Sequence, residues 1–379
     1  MTQNGPTILI SAGASGGHIF PALAVAEELR EQGATCVFVG NGTAFEKAIT
    51  DAGFILETLP ASAWNVKNPV RKMWAIVNLV RAFITAMKIV HKVRPSVVFG
   101  TGGYATVASV FAGRISGVPT MIHEQNVLPG RANKLLAGRV DKIALAFELM
   151  PGVLPPRLEK NTQVFGNPVR KNIINLQNKK RKDDEKFHLL VVGGSQGARI
   201  LSDVVPAAIA LLPVKHRKKI EMVQQARPED IDRVKAIYEG LKVSYDVTSF
   251  FTDLPERMVQ SNLMIARAGA GTISECALLG RSAIFVPLKL ADGHQKYNAK
   301  VLTDKEASIL MEEDDFTPEN LSNKLKELID KPEIVSNMEK KAKLEARPDA
   351  AKDVANAVLK LSKMDVMQLA ETQGEEQVT

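Results

Sequence analysis

Four glycine-rich turns punctuate this chain, GASGGH at 13–18, TGGY at 101–104, GGSQGAR at 193–199 and RAGAG at 267–271, each directly after a short apolar run. They fall two in each half. A glycine at a strand end removes the Cβ that would hold a phosphate or sugar away from the backbone, and a following helix N-terminus offers unpaired N–H groups and partial positive charge. Such turns bind anions and polyols. Their placement predicts an α/β chain of two Rossmann-like domains facing across a polar cleft, and 379 residues suit two domains of ordinary size.

Short β-branched runs alternate with longer amphipathic ones, the grammar of open parallel sheets with helical crossovers. Strands are expected at 7–12, 35–40, 96–100, 120–124 and 142–146, and again at 188–194, 221–226, 262–268 and 282–288. Helices should fill 19–33, 43–52, 229–240, 269–280, 319–331 and 333–345, with a last one from Pro348 to about Lys363. The turn-rich stretch after residue 150 places a first domain over 1–165 and a second over 166–345, followed by a helix over 346–363. The polar residues 364–379 have little to pack and read as a frayed tail.

Charge is distributed unevenly. Between Glu57 and Glu124 there is no acidic residue, while Lys67, Arg71, Lys72, Arg81, Lys88, Lys92, Arg94 and Arg114 are all basic. The same stretch holds Trp64, Trp74, Phe83 and many aliphatic residues, more than one core-facing stripe needs. Two readings stay open over residues 64–94: a helix resting on an anionic membrane face, or one whose apolar side packs on a sheet and whose basic side is solvated. Nucleic acid is a poor fit, because only 5% of residues are aromatic and none interleave with the basic ones as stacking platforms. Cys36 and Cys276 form no disulfide or metal-site spacing, and neither a signal peptide nor an apolar run of spanning length is expected, which suits a reducing cytoplasm.

What the turns lack narrows the ligand. No Lys-Ser or Lys-Thr follows Gly17 or Gly197, so a Walker A loop is excluded. GASGGH misses the GxGxxG spacing, and the second strand ends Val39-Gly40-Asn41 without an acidic residue for an adenosine ribose. The Asp-x-Asp at 230–232 sits in a charged helix rather than after a strand, so no metal site is expected and a leaving group must be neutralised by helix N-termini and Arg or Lys. His18, at the start of the first helix, is in a field that favours a neutral imidazole base. His123, Glu124, Gln125 and Asn126 follow a strand where a sugar hydroxyl could be met. Arg267 at a strand end suits a pyrophosphate, and Glu275 a ribose diol; a structural pair between the two is the plainer alternative.

The strings GASGGHIFPALAVA, GTGGY, HEQN, GNPVR, GGSQGAR, RAGAGTISE and DGHQKYNA, in that order over residues 7 to about 345, resemble the MurG family of peptidoglycan glycosyltransferases. The resemblance implies a GT-B fold, with the acceptor and membrane side in the first domain, the donor side in the second, and the last helix crossing back. It implies inverting transfer of N-acetylglucosamine from UDP-N-acetylglucosamine to the 4-hydroxyl of undecaprenyl-diphosphate-linked N-acetylmuramyl-pentapeptide, with no further cofactor. By similarity Ser15, Gly16, Gly17, Gly103, Tyr104 and Asn126 face the acceptor, and His18, His123 and Glu124 stand at the reaction centre. Donor contacts fall on Arg170, Ser195, Gln196, Gly197, Phe251, Arg267, Gly269, Thr272, Glu275, Gln295 and Asn298. The implied location is the cytoplasmic face of the bacterial plasma membrane, with cell-wall and division proteins as partners. A UDP-N-acetylglucosamine 2-epimerase or a non-catalytic UDP-sugar-binding module would use similar domains without a lipid-facing surface.

Overall fold

The computed structural model describes residues 5–60, 69–194, 197–289 and 293–375, with side chains except in 69–76 and 364–375. The chain forms two units, Met1–Arg170 with Asp349–Thr379, and Lys171–Pro348. The first contains β1 (Thr7–Ser11), β2 (Thr35–Gly40), β3 (Ile55–Thr58), β4 (Val97–Gly100), β5 (Thr120–Glu124), β6 (Lys142–Leu145) and β7 (Thr162–Val164). They form one parallel sheet in the order β3-β2-β1-β4-β5-β6-β7. Because successive side chains point to opposite faces and both faces are covered by helices, most residues of the central strands are apolar. Ile8, Ile10, Phe38 and Phe99 pack against the helix Gly16–Glu31 and the last helix, Ala350–Glu375. Leu9, Val37, Val98 and Ile122 pack on the other face, against the helices Pro69–Val93 and Tyr104–Ile115. Each fully buried large side chain contributes about 2 kcal/mol.

The second unit contains β8 (Phe187–Val192), β9 (Ile220–Gln225), β10 (Ser244–Thr248), β11 (Leu263–Ala266), β12 (Ala283–Phe285) and β13 (Ile309–Leu310), again all parallel, in the order β10-β9-β8-β11-β12-β13. Leu189, Val191, Leu263 and Ile265 meet Leu201, Val205 and Ile209 of the helix Arg199–Leu211 and Leu321 and Leu325 of the helix Pro318–Asp330.

In each sheet the chain runs outward in one direction and then returns to lay its next strand on the other side of the first. That reversal opens a crevice at the C-terminal ends of the two central strands, the usual ligand position in doubly wound sheets. It lies between β1 and β4 in the first unit and between β8 and β11 in the second. The four glycine turns follow these four strands.

Several expected boundaries shift. The first unit ends at Arg170 rather than 165, and the last helix, which packs on Gly16–Glu31, belongs to that unit. It continues to Glu375, so 364–375 are helical where a frayed tail was expected, and 376–379 lie outside the described residues. In the basic stretch, Trp64 and the Trp74 side chain lie outside the described residues. Farther along the helix Pro69–Val93, Ala82, Ala86, Ile89 and Val90 are buried in the core. Val77, Val80, Arg81, Ile84 and Lys88 form an exposed stripe at i, i+3, i+4, i+7 and i+11, with Val80 52% and Ile84 49% exposed. Among the described residues no helix is long and apolar enough to cross a membrane.

Candidate active site

Two glycine turns clasp one imidazole at the crevice of the first unit. His18 lies in the first turn of the helix Gly16–Glu31, its N–H bonded to the Ser15 carbonyl at 2.9 Å and its carbonyl receiving the Thr101 hydroxyl at 3.0 Å. A Cβ on Gly13 would sit 2.8 Å from the ring Cδ2, and one on Gly102 2.8 Å from Cε1. Only glycine fits on either side. Gly103 carries this further: a Cβ there would fall 2.6 Å from the Gly13 Cα, so the two turns pack backbone against backbone. Burial lowers the pKa of His18 below 6.5, opposed by the charge of Glu124, the Thr101 carbonyl and the Gln125 side chain. The ring is therefore neutral at neutral pH.

Around the ring, Ser15 caps the helix by backbone alone, leaving its hydroxyl exposed beside the first-turn N–H groups of Gly16 and Gly17. Gly103 opens the helix Tyr104–Ile115 with φ +82°. Tyr104 donates its hydroxyl to the Pro60 carbonyl, and burial pushes its pKa up to about 12, so it stays a neutral donor.

Two residues expected at the reaction centre are buried. His123 is 0% exposed, with Nε2 3.0 Å from the Gly166 carbonyl and Nδ1 3.1 Å from the Gln125 amide nitrogen. Glu124 is 2% exposed; Oε1 accepts from the Asn126 backbone and side chain, and Oε2 from the Gly130 N–H at 2.9 Å and Asn133 Nδ2 at 2.8 Å. Both side chains are sealed from solvent with their polar atoms hydrogen-bonded inside the fold. Asn126 is held on the Glu124 carboxylate. Sequence reasoning did not single out Thr101 or Asn133 as parts of this assembly, and it placed Gln125 only among the polar residues that follow the strand.

Burial lowers the His123 pKa to about 4, against 6.5 for an ordinary imidazole. An unfolded chain thus binds a proton between these values that the folded one refuses, and stability falls as pH drops from about 6.5 to 4. The loss amounts to about 3 kcal/mol. Denaturant melts across that window should show the slope in the native protein and a flatter one in His123→Gln.

In the second unit, the loop after β8 folds back on itself, so that a Cβ on Gly193 would lie 2.5 Å from the Ala198 nitrogen. Gly194 and Gly197 have φ of +85° and +70°. Ser195 and Gln196, expected donor contacts, lie outside the described residues. Gln225, at the end of β9, receives the Gly193 N–H at 3.1 Å and donates to the Gly194 and Ser249 carbonyls. The helices Arg199–Leu211 and Ala270–Leu279 begin at Ala198 and Gly269 without side-chain caps, directing N–H groups into the crevice. Thr272 lies in the first turn after Gly269 and Glu275, half-buried, in the next.

The remaining donor-side expectations divide. Arg267 pairs with Glu313 at 2.6 Å and donates to the Val286 carbonyl at 3.0 Å. Phe251 buries its ring beneath Arg257, 4.5 Å from the centroid. Asn298 is 0% exposed and donates to the Ala268 carbonyl at 3.4 Å, at the 267–271 turn. Gln295 accepts from the Leu288 N–H at 3.0 Å. Arg170 closes the first unit, stacked 4.2 Å from the Phe20 ring. Among the described residues no group of His, Cys, Asp and Glu is arranged to hold a metal.

Two doubly wound sheets, each with paired glycine turns at its switch point, define the GT-B class of glycosyltransferases. The chain matches the glycosyltransferase family 28 N-terminal domain over residues 8–145 and its C-terminal domain over 188–354. It is 39% identical over 369 residues to the UDP-N-acetylglucosamine–N-acetylmuramyl-(pentapeptide) pyrophosphoryl-undecaprenol N-acetylglucosamine transferase of Paramagnetospirillum magneticum, covering 95% of this chain and 98% of the relative. The transferase of the same name from Allorhizobium ampelinum is 39% identical over 355 residues, covering 93% and 94%. The crystal structure of Acinetobacter baumannii MurG superposes with a TM-score of 0.75 at 28% identity, covering 93% of this chain and 99% of that one. The chain belongs to glycosyltransferase family 28, in its MurG branch.

Proposed function

We propose that this chain moves N-acetylglucosamine from UDP-N-acetylglucosamine to the 4-hydroxyl of a lipid-linked N-acetylmuramyl-pentapeptide, forming a β-1,4 bond with inversion. The observation that carries the reading is the clasp on His18. A neutral imidazole, held between two glycine turns and beside a helix N-terminus, combines a base with a binding surface for a diphosphate. In the reaction the hydroxyl oxygen bonds to the anomeric carbon as the bond from that carbon to the UDP oxygen breaks. The hydroxyl proton passes to His18, and the electron pair leaves with UDP. Its charge is met by the N–H groups at Ala198 and Gly269 and by Arg267, whose guanidinium the Glu313 pair holds at the strand end. Ser195 and Gln196 complete the donor loop, and Glu275 takes the ribose. The test is purified protein with UDP-N-acetylglucosamine and the lipid-linked muramyl acceptor: mass spectrometry should find one added N-acetylhexosamine per acceptor, whereas 2-epimerised UDP-sugar or no turnover would sink the reading.

The enzyme works on the cytoplasmic face of the plasma membrane, held there by the exposed stripe Val77, Val80, Arg81, Ile84 and Lys88. Apolar side chains flanked by cations suit an interface of anionic headgroups. Sedimentation with anionic vesicles should fall with salt and fall further in Ile84→Glu; binding indifferent to both salt and lipid charge would count against the stripe. Cell-wall and division proteins are the partners expected at such a surface.

A further inference from the structure

We propose that Arg227 is a positioning residue of the donor site, whose side-chain stem supports the 193–199 turn and so aims the N-terminus of the helix Arg199–Leu211. This role rests on the function proposed above, in which the turn receives UDP. At the end of β9 the ladder continues one residue past Gln225, through the Ala226 N–H to the Thr248 carbonyl at 3.0 Å, and Arg227 stays extended at φ −64° and ψ 150° because Pro228 follows it. Alternation then sends Gln225 and Arg227 to one side and Ala226 to the other, where it is buried in the core. Gln225 holds the beginning of the turn, at Gly193 and Gly194. Arg227 holds its end: a Cβ on Gly197 would lie 2.7 Å from the Arg227 Cγ and 3.4 Å from its backbone nitrogen, so turn backbone and side-chain stem are in direct contact.

A long flexible stem gives firm support only when its far end is fixed. The Asp230 N–H donates to the Arg227 carbonyl at 2.8 Å, and this short turn brings the Asp230 carboxylate back onto the Arg227 Nε at 2.7 Å. Glu229 meets Nη1 at 3.1 Å. With the guanidinium charge met by these two carboxylates, the stem is the part that faces the turn. Asp230 is buried, and its other oxygen accepts from Arg233 at 2.9 Å. Arg233 also reaches Asp203 at 2.6 Å, on the helix that follows the turn. The contacts close a ring, from Gly197 through Arg227, Asp230, Arg233 and Asp203 and back along the helix Arg199–Leu211. Asp230, half of the Asp-x-Asp that suits no metal, is the hub of that ring.

In Arg227→Ala the Kd for UDP, measured by calorimetry on the intact protein, should rise about tenfold, with KM for the lipid-linked acceptor within about twofold. Hydrogen exchange should quicken about tenfold at the Gly193 and Gly197 amides, which bond to Gln225 and to the Gly194 carbonyl, and stay unchanged over Leu189–Val191 of β8. Arg227→Met keeps the methylenes and should recover UDP affinity to within about threefold of native. Gly197→Ala should weaken UDP binding more in the native background than in Arg227→Ala, by about three- to tenfold, because its φ of +70° strains both alike while the Cγ contact exists in only one. Unchanged UDP affinity in Arg227→Ala, equal costs of Gly197→Ala in the two backgrounds, or exchange that quickens throughout the unit would each overturn the proposal. A native protein that binds no UDP would remove the assignment of the donor instead, and exchange at Gly193 and Gly197 would then decide the support of the turn alone.

Discussion

Replacing His18 by alanine is expected to lower kcat by about 10² or more while leaving the affinity for UDP within about twofold. The size follows from what the ring does. It offers a neutral nitrogen at working pH because burial holds its pKa below 6.5. Among the described residues, the titratable neighbours of the ring are otherwise engaged: His123 is buried, Glu124 is hydrogen-bonded through both oxygens, and the Tyr104 hydroxyl donates to the Pro60 carbonyl. The selectivity follows from the fold, since the elements expected to hold UDP, the 193–199 and 267–271 turns, belong to the other unit. The acid limb of the native rate profile should fall below pH 6.5, where the imidazole takes up its proton, and should vanish in the variant. Alanine also vacates a ring-shaped space whose walls, Gly13 and Gly102, have no side chains to fill it. Added imidazole should restore part of the rate. Initial rates of UDP release and calorimetry of UDP binding check the prediction, and equal losses in turnover and UDP affinity would refute it.

The sequence was most informative where structure is local and buried on both faces. The central strands β1, β2, β4, β5, β6, β8, β9, β11 and β12 announce themselves as short apolar runs because each is covered by helices above and below. The strands that escaped the reading are β3, β7, β10 and β13, which are the four outer strands of the two sheets. Their residues are mostly exposed or half-buried, as in Thr162–Val164 and Ser244–Thr248, so they carry polar side chains and little period. The same logic governs the site. Glycine turns are legible because close backbone approach leaves only one residue type possible. The HEQN string is not, because at the end of a strand covered on both sides the alternation of side chains does not say which polar group reaches the crevice. His123, Glu124 and Gln125 all turn inward, each held by groups between 2 and 43 residues away. Asn298 and the Arg267–Glu313 pair are equally tertiary facts, made by strand ends and helices that the sequence separates.

Gly103→Ala should cost about 3 kcal/mol or more of stability and nearly all transfer activity. Two penalties add at this position. Its φ of +82° is one that side chains other than glycine adopt only at a cost of about 1–2 kcal/mol. The new Cβ would also lie 2.6 Å from the Gly13 Cα and 3.0 Å from its nitrogen, which are backbone atoms with no rotamer by which to yield. Gly33→Ala separates the two effects, because Gly33 has φ +86° and nothing within 4 Å of the added carbon. It should lose only the backbone term and keep its activity. Relief of the Gly103 clash requires the two turns to part, and the imidazole lies between Gly13 and Gly102 of those same turns. A shift of a few tenths of an ångström there moves the base relative to the bound diphosphate, and misplacement on the scale of 1 Å already costs about 10² in rate. Thermal melts and rates on the pair decide the matter: if Gly33→Ala and Gly103→Ala lose equal stability and activity, the backbone contact between the turns does not support the site.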